Sequence, residues 1–301
     1  MPIVSLSEEV QTALAERRPV VALESTIIAH GLPQPANLEA AQEFEEILRS
    51  QGVTPATIAV IDGVPRAGLY ERDVERIATD TSTLKASVRD IPHLMATGKT
   101  GATTVAATAH IAAQAGIRVF ATGGLGGVHR GASDTFDESA DLTVLSQSQI
   151  AVVSAGVKSV LDIGATLERL ETLSVPVIGY KTDTFPAFWL PSSPFGLDWS
   201  ADDVSEVSKL MSATWGAGFA TGILVANPVP SDTAWNQADH DRIVQMAFDA
   251  ADAQGVRGKD VTPFLLDFIQ KESNGESLRV NLDVVRNNIH VAADIAKAWV
   301  S

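Results

Sequence analysis

The chain has no cysteine among its 301 residues. That excludes disulfides, thiolate metal sites and cysteine nucleophiles. It also lacks any excess of positive charge: 22 basic residues stand against 37 acidic ones, for a formal net charge of -15. The sequence pI is about 4.7. Nucleic-acid binding needs a basic face, so that class is set aside. An anionic small molecule would have to be met by a local cluster of donors rather than steered by the whole surface. No apolar run reaches the length of a membrane-spanning helix. The first residues, Met1 to Ser5, lack the basic-then-apolar pattern of a secretory leader. A cytoplasmic protein with no membrane partner is therefore expected. Familiar catalytic signatures are missing too. There is no P-loop and no G-x-G-x-x-G, and the six histidines form no H-E-x-x-H. Neither Ser25 nor Ser154 sits in the G-x-S-x-G context of a nucleophilic elbow, which argues against a serine hydrolase.

What is present is an ordinary core-forming composition, 45% hydrophobic and 20% charged. Short apolar runs alternate with stretches of helical periodicity. Strands are expected at 19–23, 56–61, 118–122, 150–155, 175–180 and 222–226. Helices are expected at 38–50, 71–78, 102–115, 160–173, 235–254, 263–272 and 282–300, the first capped by Asn37. The proline-rich stretch 182–199 reads as a loop. No linker, repeat or charge block divides the chain, so one domain over 1–301 is expected. The alternation predicts an α/β fold: three layers, α/β/α, around a largely parallel or mixed central sheet. In such sheets, sites gather in the loops at the carboxyl ends of strands.

Four stretches fall at those ends. In "LESTIIAHG", Glu24 closes an apolar strand, where burial would raise its pKa and suit it to acid catalysis. A structural glutamate bonding nearby amides is an equal reading. In "ATGGLGGVHRGA", two glycine pairs would let backbone N–H groups approach a ligand, or would merely turn the chain. In "TFDESADL", Asp137 and Asp141 are four apart and share a face if the segment is helical. Such oxygen ligands suit Mn²⁺ or Mg²⁺, although two solvated aspartates are the commoner case. In "SAGVKSVLDIG", Lys158 stands where a helix is about to begin. That positive end disfavours a protonated amine, so Lys158 is either a surface cation or a nucleophile that loses its proton. Lys85, in "TLKASVRD", could bind phosphate or depress Lys158 by repulsion, or be a surface cation.

Taken in order, "ALESTIIAHGLPQPAN", "PATIAVIDG", "GATTVAAT", "VFATGGLGGVHRGA", "TFDESADL", the Lys158 stretch with "VPVIGYKTD", and "NNIHVAADIA" resemble the pseudouridine-5'-phosphate glycosidases, also called indigoidine synthase A-like proteins. The blocks run from about residue 20 to about residue 297. The resemblance implies reversible cleavage of the C–C glycosidic bond of pseudouridine 5'-phosphate to uracil and ribose 5-phosphate, through a lysine Schiff base. It also implies one divalent metal per subunit, usually Mn²⁺, and a homotrimer. Carried over by motif, Glu24 is the proton donor, Lys158 the covalent nucleophile and Asp137 the metal ligand. Substrate contacts fall on Lys85, Val105, Ser139, Ala140 and Asp141, with Thr122, His129 and Asn281. The chain departs from the family pattern at Val88, where a second arginine is usual, at Ser154, where cysteine is common, and at Asn274-Gly275. Other readings are a different lysine-dependent sugar-phosphate lyase or aldolase, a sugar-kinase-like enzyme suggested by the glycine loops and residues 258–266, or a non-catalytic sugar-phosphate binding protein.

Overall fold

Val20-Val21-Ala22-Leu23 and Ala151-Val152-Val153 carry no polar alternation, and each is buried along its whole length. That is the signature of strands covered on both faces. The computed structural model describes residues 4–256 and 261–301. The first three residues and the Gly258–Asp260 part of the kinase-like stretch lie outside the described residues.

The strands are β1 (Ser5–Leu6), β2 (Val20–Leu23), β3 (Thr54–Ile61), β4 (Val64–Ala67), β5 (Leu84–Ala86), β6 (Gly101–Thr103), β7 (Val119–Ala121), β8 (Ala151–Ser154), β9 (Val177–Tyr180), β10 (Ser200–Ala201) and β11 (Ile223–Ala226). The helices are α1 (Glu8–Ala15), α2 (Ala36–Ser50), α3 (Glu71–Thr79), α4 (Ile91–Thr97), α5 (Val105–Gln114), α6 (Ala132–Thr135), α7 (Ala140–Leu145), α8 (Ile163–Thr172), α9 (Val204–Gly216), α10 (Gln237–Ala253), α11 (Val261–Glu272) and α12 (Glu276–Val300). The main strand order is β1-β4-β3-β2-β7-β8-β11-β9-β10, with β6 paired to β3 and β5 to β6. From β3 through β2, β7, β8, β11 and β9 to β10 every pairing is parallel. The antiparallel pairings are β3 with β4 and β3 with β6. The sheet is therefore mixed, with a parallel centre.

Side chains alternate across it, as the pleat requires. Val21, Leu23, Val119, Ala121, Val153 and Val225 share a core with α2, α9 and α12. Val20, Ala22, Phe120, Val152 and Leu224 face the other way, into a core built with α5, α7, α10 and α11. The result is the expected three-layer α/β/α arrangement.

Local departures have physical causes. Residues 101–103 form a strand, and the helix starts at Val105 behind Thr104, whose hydroxyl accepts from the Ala107 N–H. Pairing of Ala102 with both Ala59 and Lys85 overrides the helical preference of an alanine-rich run. Asn37 is not a cap. It lies inside the first turn of α2, buried, with its Nδ2 donating to the Ile28 and Ala78 carbonyls. Helix α12 starts at Glu276, ahead of the expected 282. Strands β4, β5 and β6, with the sequences VPRA, LKA and GAT, carry no uninterrupted apolar run that would announce them.

One glycine holds the turn that leaves β8. Gly156 has φ +82°, and a Cβ there would sit 2.4 Å from the Pro186 carbonyl oxygen. Gly156→Ala is expected to destabilise the fold by about 2 kcal/mol, a value typical of a strained backbone position with a steric clash. Urea unfolding should show a lower midpoint at unchanged slope.

Candidate active site

The parallel register places three strand ends side by side. Leu23 pairs with Ala121, and Ala121 with Val153. The residues that follow, Glu24 and Thr122, therefore lie next to each other. The buried Thr122 hydroxyl donates to Glu24 Oε1, and the Thr122 N–H donates to the Val153 carbonyl at 3.1 Å. Burial pushes the Glu24 carboxyl above its ordinary value, against the lowering pull of the Lys158 charge and of the Thr122 hydrogen bond.

Lys158 follows β8 by four residues and is half-buried. Its N–H donates to the Leu125 carbonyl at 3.1 Å, and its carbonyl accepts from the Leu161 N–H at 2.9 Å. It does not stand at a helix start. Helix α8 begins at Ile163, and Asp162 is its cap, accepting from the Ala165 N–H. Val160 and Leu161 are drawn into the core, which keeps the chain in a loop for that distance. The positive helix end therefore faces Asp162 rather than Lys158.

Lys85 arrives from a different direction, on β5, through the β5-β6-β3 pairing. Burial of its amine, and then the nearby Lys158 charge, hold its pKa below the usual lysine value, while Glu24 pulls it up. His30 is lowered as well, by burial and by Lys85.

Asp137 and Asp141 do not share a helical face. Helix α7 begins only at Ala140, with Ser139 as its cap. Both Asp141 oxygens are committed: one accepts from the Ala106 N–H at 2.8 Å, the other from the Gly126 N–H at 2.7 Å. Asp141 thus ties the glycine loop to the first turn of α5. Asp137 lies before the helix, its carboxylate 3.9 Å from His129 Nδ1. Among the described residues, no three acidic or imidazole groups converge on one point. The donor set suits only a cation that keeps most of its water, as Mg²⁺ and similar hard ions do.

The glycine pairs answer to packing as much as to ligand approach. A Cβ on Gly126 would fall 2.3 Å from Ser139 Oγ, and one on Gly127 2.5 Å from Thr166 Oγ1.

Two adjoining cavities, of about 170 and 250 Å³, share Glu24, Thr26, Lys85 and Lys158. One is closed by Phe188, Trp189, Gln270, Ser277 and Asn281. The other is closed by Val105, His129, Asp137, Ser139, Ala140 and Asp141. Every residue assigned above to catalysis, substrate or metal lines one of them except Thr122, whose hydroxyl bonds Glu24. A third cavity of about 540 Å³, larger than either, shares only Leu161 with this cleft.

Asn288 is a residue that sequence reasoning missed. It is fully buried on α12. Its Nδ2 donates to the Thr122 carbonyl at 2.7 Å and the Gly123 carbonyl at 3.3 Å, and its Oδ1 accepts from Asn227 Nδ2 at 2.8 Å. A polar side chain on the apolar stripe of α12 was the available signal.

The family model described as "Indigoidine synthase A like protein" matches residues 9–298. The pseudouridine-5'-phosphate glycosidase of Frankia alni is 60% identical over 294 residues, covering 98% of this chain and 81% of that protein. The enzyme of the same name from Escherichia coli K12 is 48% identical over 298 residues, covering 99% and 96%. Among solved structures, the prealnumycin C-glycosynthase AlnA in complex with ribulose 5-phosphate superposes with a TM-score of 0.93 at 36% identity, covering 100% of this chain and 98% of that one. An indigoidine synthase A-like protein from Thermotoga maritima gives 0.88 at 34%, covering 99% and 97%.

A raised Glu24 pKa means that the folded chain disfavours the ionised carboxyl. The cost is absent below the ordinary value of 4.5 and accumulates as pH rises through the folded value. Glu24→Gln has no charge to bury. Its thermal midpoint should exceed that of the parent at neutral pH and converge with it under strongly acidic conditions. A lower midpoint at neutral pH would show that Lys158 more than compensates the buried charge.

Proposed function

The chain belongs to the indigoidine synthase A-like family, and from that premise we propose that it cleaves the C–C glycosidic bond of pseudouridine 5'-phosphate, reversibly, to uracil and ribose 5-phosphate. One observation carries the reading: an acid held toward its protonated form faces two amines, Lys158 and Lys85, across one cleft. The relatives bearing the glycosidase name, and the ribulose 5-phosphate complex of the C-glycosynthase, support the substrate class.

The cleft divides by chemistry. At one end Phe188 and Trp189, with ring centroids 5.1 Å apart, and Asn281 offer an apolar wall and one amide to a base. At the other end the Val105 and Ala140 N–H groups, at the starts of α5 and α7, find no acceptor among the described residues. With Lys85 they suit a phosphate. The sugar then lies between Glu24 and Lys158.

A carbon leaving group explains the need for an amine. Two-carboxylate glycosidases expel an oxygen that accepts a proton, whereas the atom leaving here is a uracil carbon. The Lys158 amine attacks the anomeric carbon while Glu24 protonates the ring oxygen, so the C–O bond breaks and the sugar opens. The bound nitrogen gives a proton back to the Glu24 carboxylate and pushes its electron pair toward the same carbon. The C–C bond breaks as Glu24 passes that proton to the uracil carbon, leaving an iminium. Water adds, restores the amine and releases ribose 5-phosphate.

Asp137, with His129 beside it, would hold a divalent ion, Mn²⁺ by family resemblance, and the ion would supply positive charge beside the phosphate end. A cytoplasmic homotrimer with one ion per subunit completes the reading.

Incubation with pseudouridine 5'-phosphate and Mn²⁺ should release uracil, and a chelator should suppress the release; no uracil under either condition would overturn the reaction. Borohydride with ribose 5-phosphate should leave the sugar on the Lys158 peptide. An adduct found only on Lys85 would reverse the roles of the two amines. Asp137→Asn should weaken Mn²⁺ binding by at least about ten-fold in calorimetry, whatever its effect on turnover.

A further inference from the structure

Four residues belong to both halves of the cleft: Glu24, Lys85, Lys158 and Thr26. Three of them already have a part in the chemistry. The fourth carries an anomaly. Thr26 Oγ1 is shielded from solvent and has no hydrogen-bond partner. It caps nothing either, although the π-helical turn Ile27–Gly31 begins immediately after it. A threonine at such a turn usually spends its hydroxyl on the backbone. Its neighbour shows the contrast: Ser25 Oγ donates to the Ile58 carbonyl at 2.6 Å and accepts from the Thr103 N–H at 2.8 Å. A buried hydroxyl with no partner lowers the stability of the free protein, so its presence asks for a compensating use.

We propose that the Thr26 hydroxyl is a substrate ligand, hydrogen-bonding a hydroxyl of the sugar held between Glu24 and Lys158. This rests on the function proposed above. Position selects the sugar. The base end is walled by Phe188 and Asn281 and the phosphate end by Val105 and Ala140, while Thr26 belongs to the part common to both. Chemistry agrees, because an alcohol both donates and accepts, and so does a sugar hydroxyl. One step about χ1 moves the hydroxyl of threonine to another staggered position, so the group can turn to meet a ligand without backbone movement.

The test is Thr26→Val, which keeps the shape and removes only the hydroxyl, beside Thr26→Ser, which keeps the hydroxyl. Without substrate, Thr26→Val should melt about 2 °C or more above the parent, because an unsatisfied group has gone. Its kcat/KM for uracil release should fall about ten-fold, the scale of one hydrogen bond. Thr26→Ser should recover most of that loss. A merely structural threonine would not raise stability while lowering turnover. The proposal is overturned if Thr26→Val matches the parent in kcat/KM, if its melting temperature falls, or if Thr26→Ser loses as much activity as Thr26→Val. A parent protein that releases no uracil overturns the proposed function and this inference together, and it is told apart because only then is the unmutated chain inert.

Discussion

A carboxyl group buried at the end of a strand prefers to keep its proton, and most of what surrounds Glu24 depends on that preference. The strand cannot move it back to water, because β2 is buried among its neighbours on both sides. The protein answers with one neutral hydrogen bond, from Thr122, and one cation held in a loop, Lys158. Neither neutralises the burial fully. A carboxyl in that state can give up a proton to a substrate and still be recharged from solvent. The same crowding weakens the hold of Lys85 on its own proton. Glu24 and Lys85 are thus tuned by the charges around them as well as by burial.

The support for this arrangement comes from behind. Asn288 on α12 fixes the backbone of Thr122 and Gly123 and is itself fixed by Asn227, which follows β11. Asp141 does the corresponding work in front, binding the amides of Ala106 and Gly126. One amide and one carboxylate therefore hold the glycine loop at Thr122–Gly123 and at Gly126, beside backbone bonds such as Leu125 N–H to the Gly156 carbonyl.

Much of this was legible in the residues. Uninterrupted apolar runs such as Val20–Leu23 announce the parallel centre, and the strand-end rule points to Glu24, Thr122 and Lys158. Less legible were features set by partners distant in sequence. Lys85 sits on a three-residue strand defined only by pairing with residues 101–103. An alanine-rich stretch was read as helix too early because β6 competes for its first residues. Asn37 looked like a cap because local chemistry allows it, yet two distant carbonyls claim its amide. The loop after Lys158 is longer than periodicity suggests, since buried Val160 and Leu161 mimic the first turn of a helix. In each case a tertiary contact outbid a local preference.

The side-by-side strand ends act as a ruler. Neighbouring strands in any sheet stand about 4.8 Å apart, so the stems of Glu24 and Thr122 are set at a distance that no side-chain rearrangement can alter. Changing it would require breaking a ladder through the middle of the molecule. The walls of the cleft have no such constraint. Gln270 on α11 and Ser277 and Asn281 on α12 stand on helices laid over the sheet, and they can be exchanged without touching its hydrogen bonds. The architecture therefore separates two kinds of variation: the positions of Glu24 and Thr122 are fixed by the sheet, while this wall of the cleft is left to the helices that cover it.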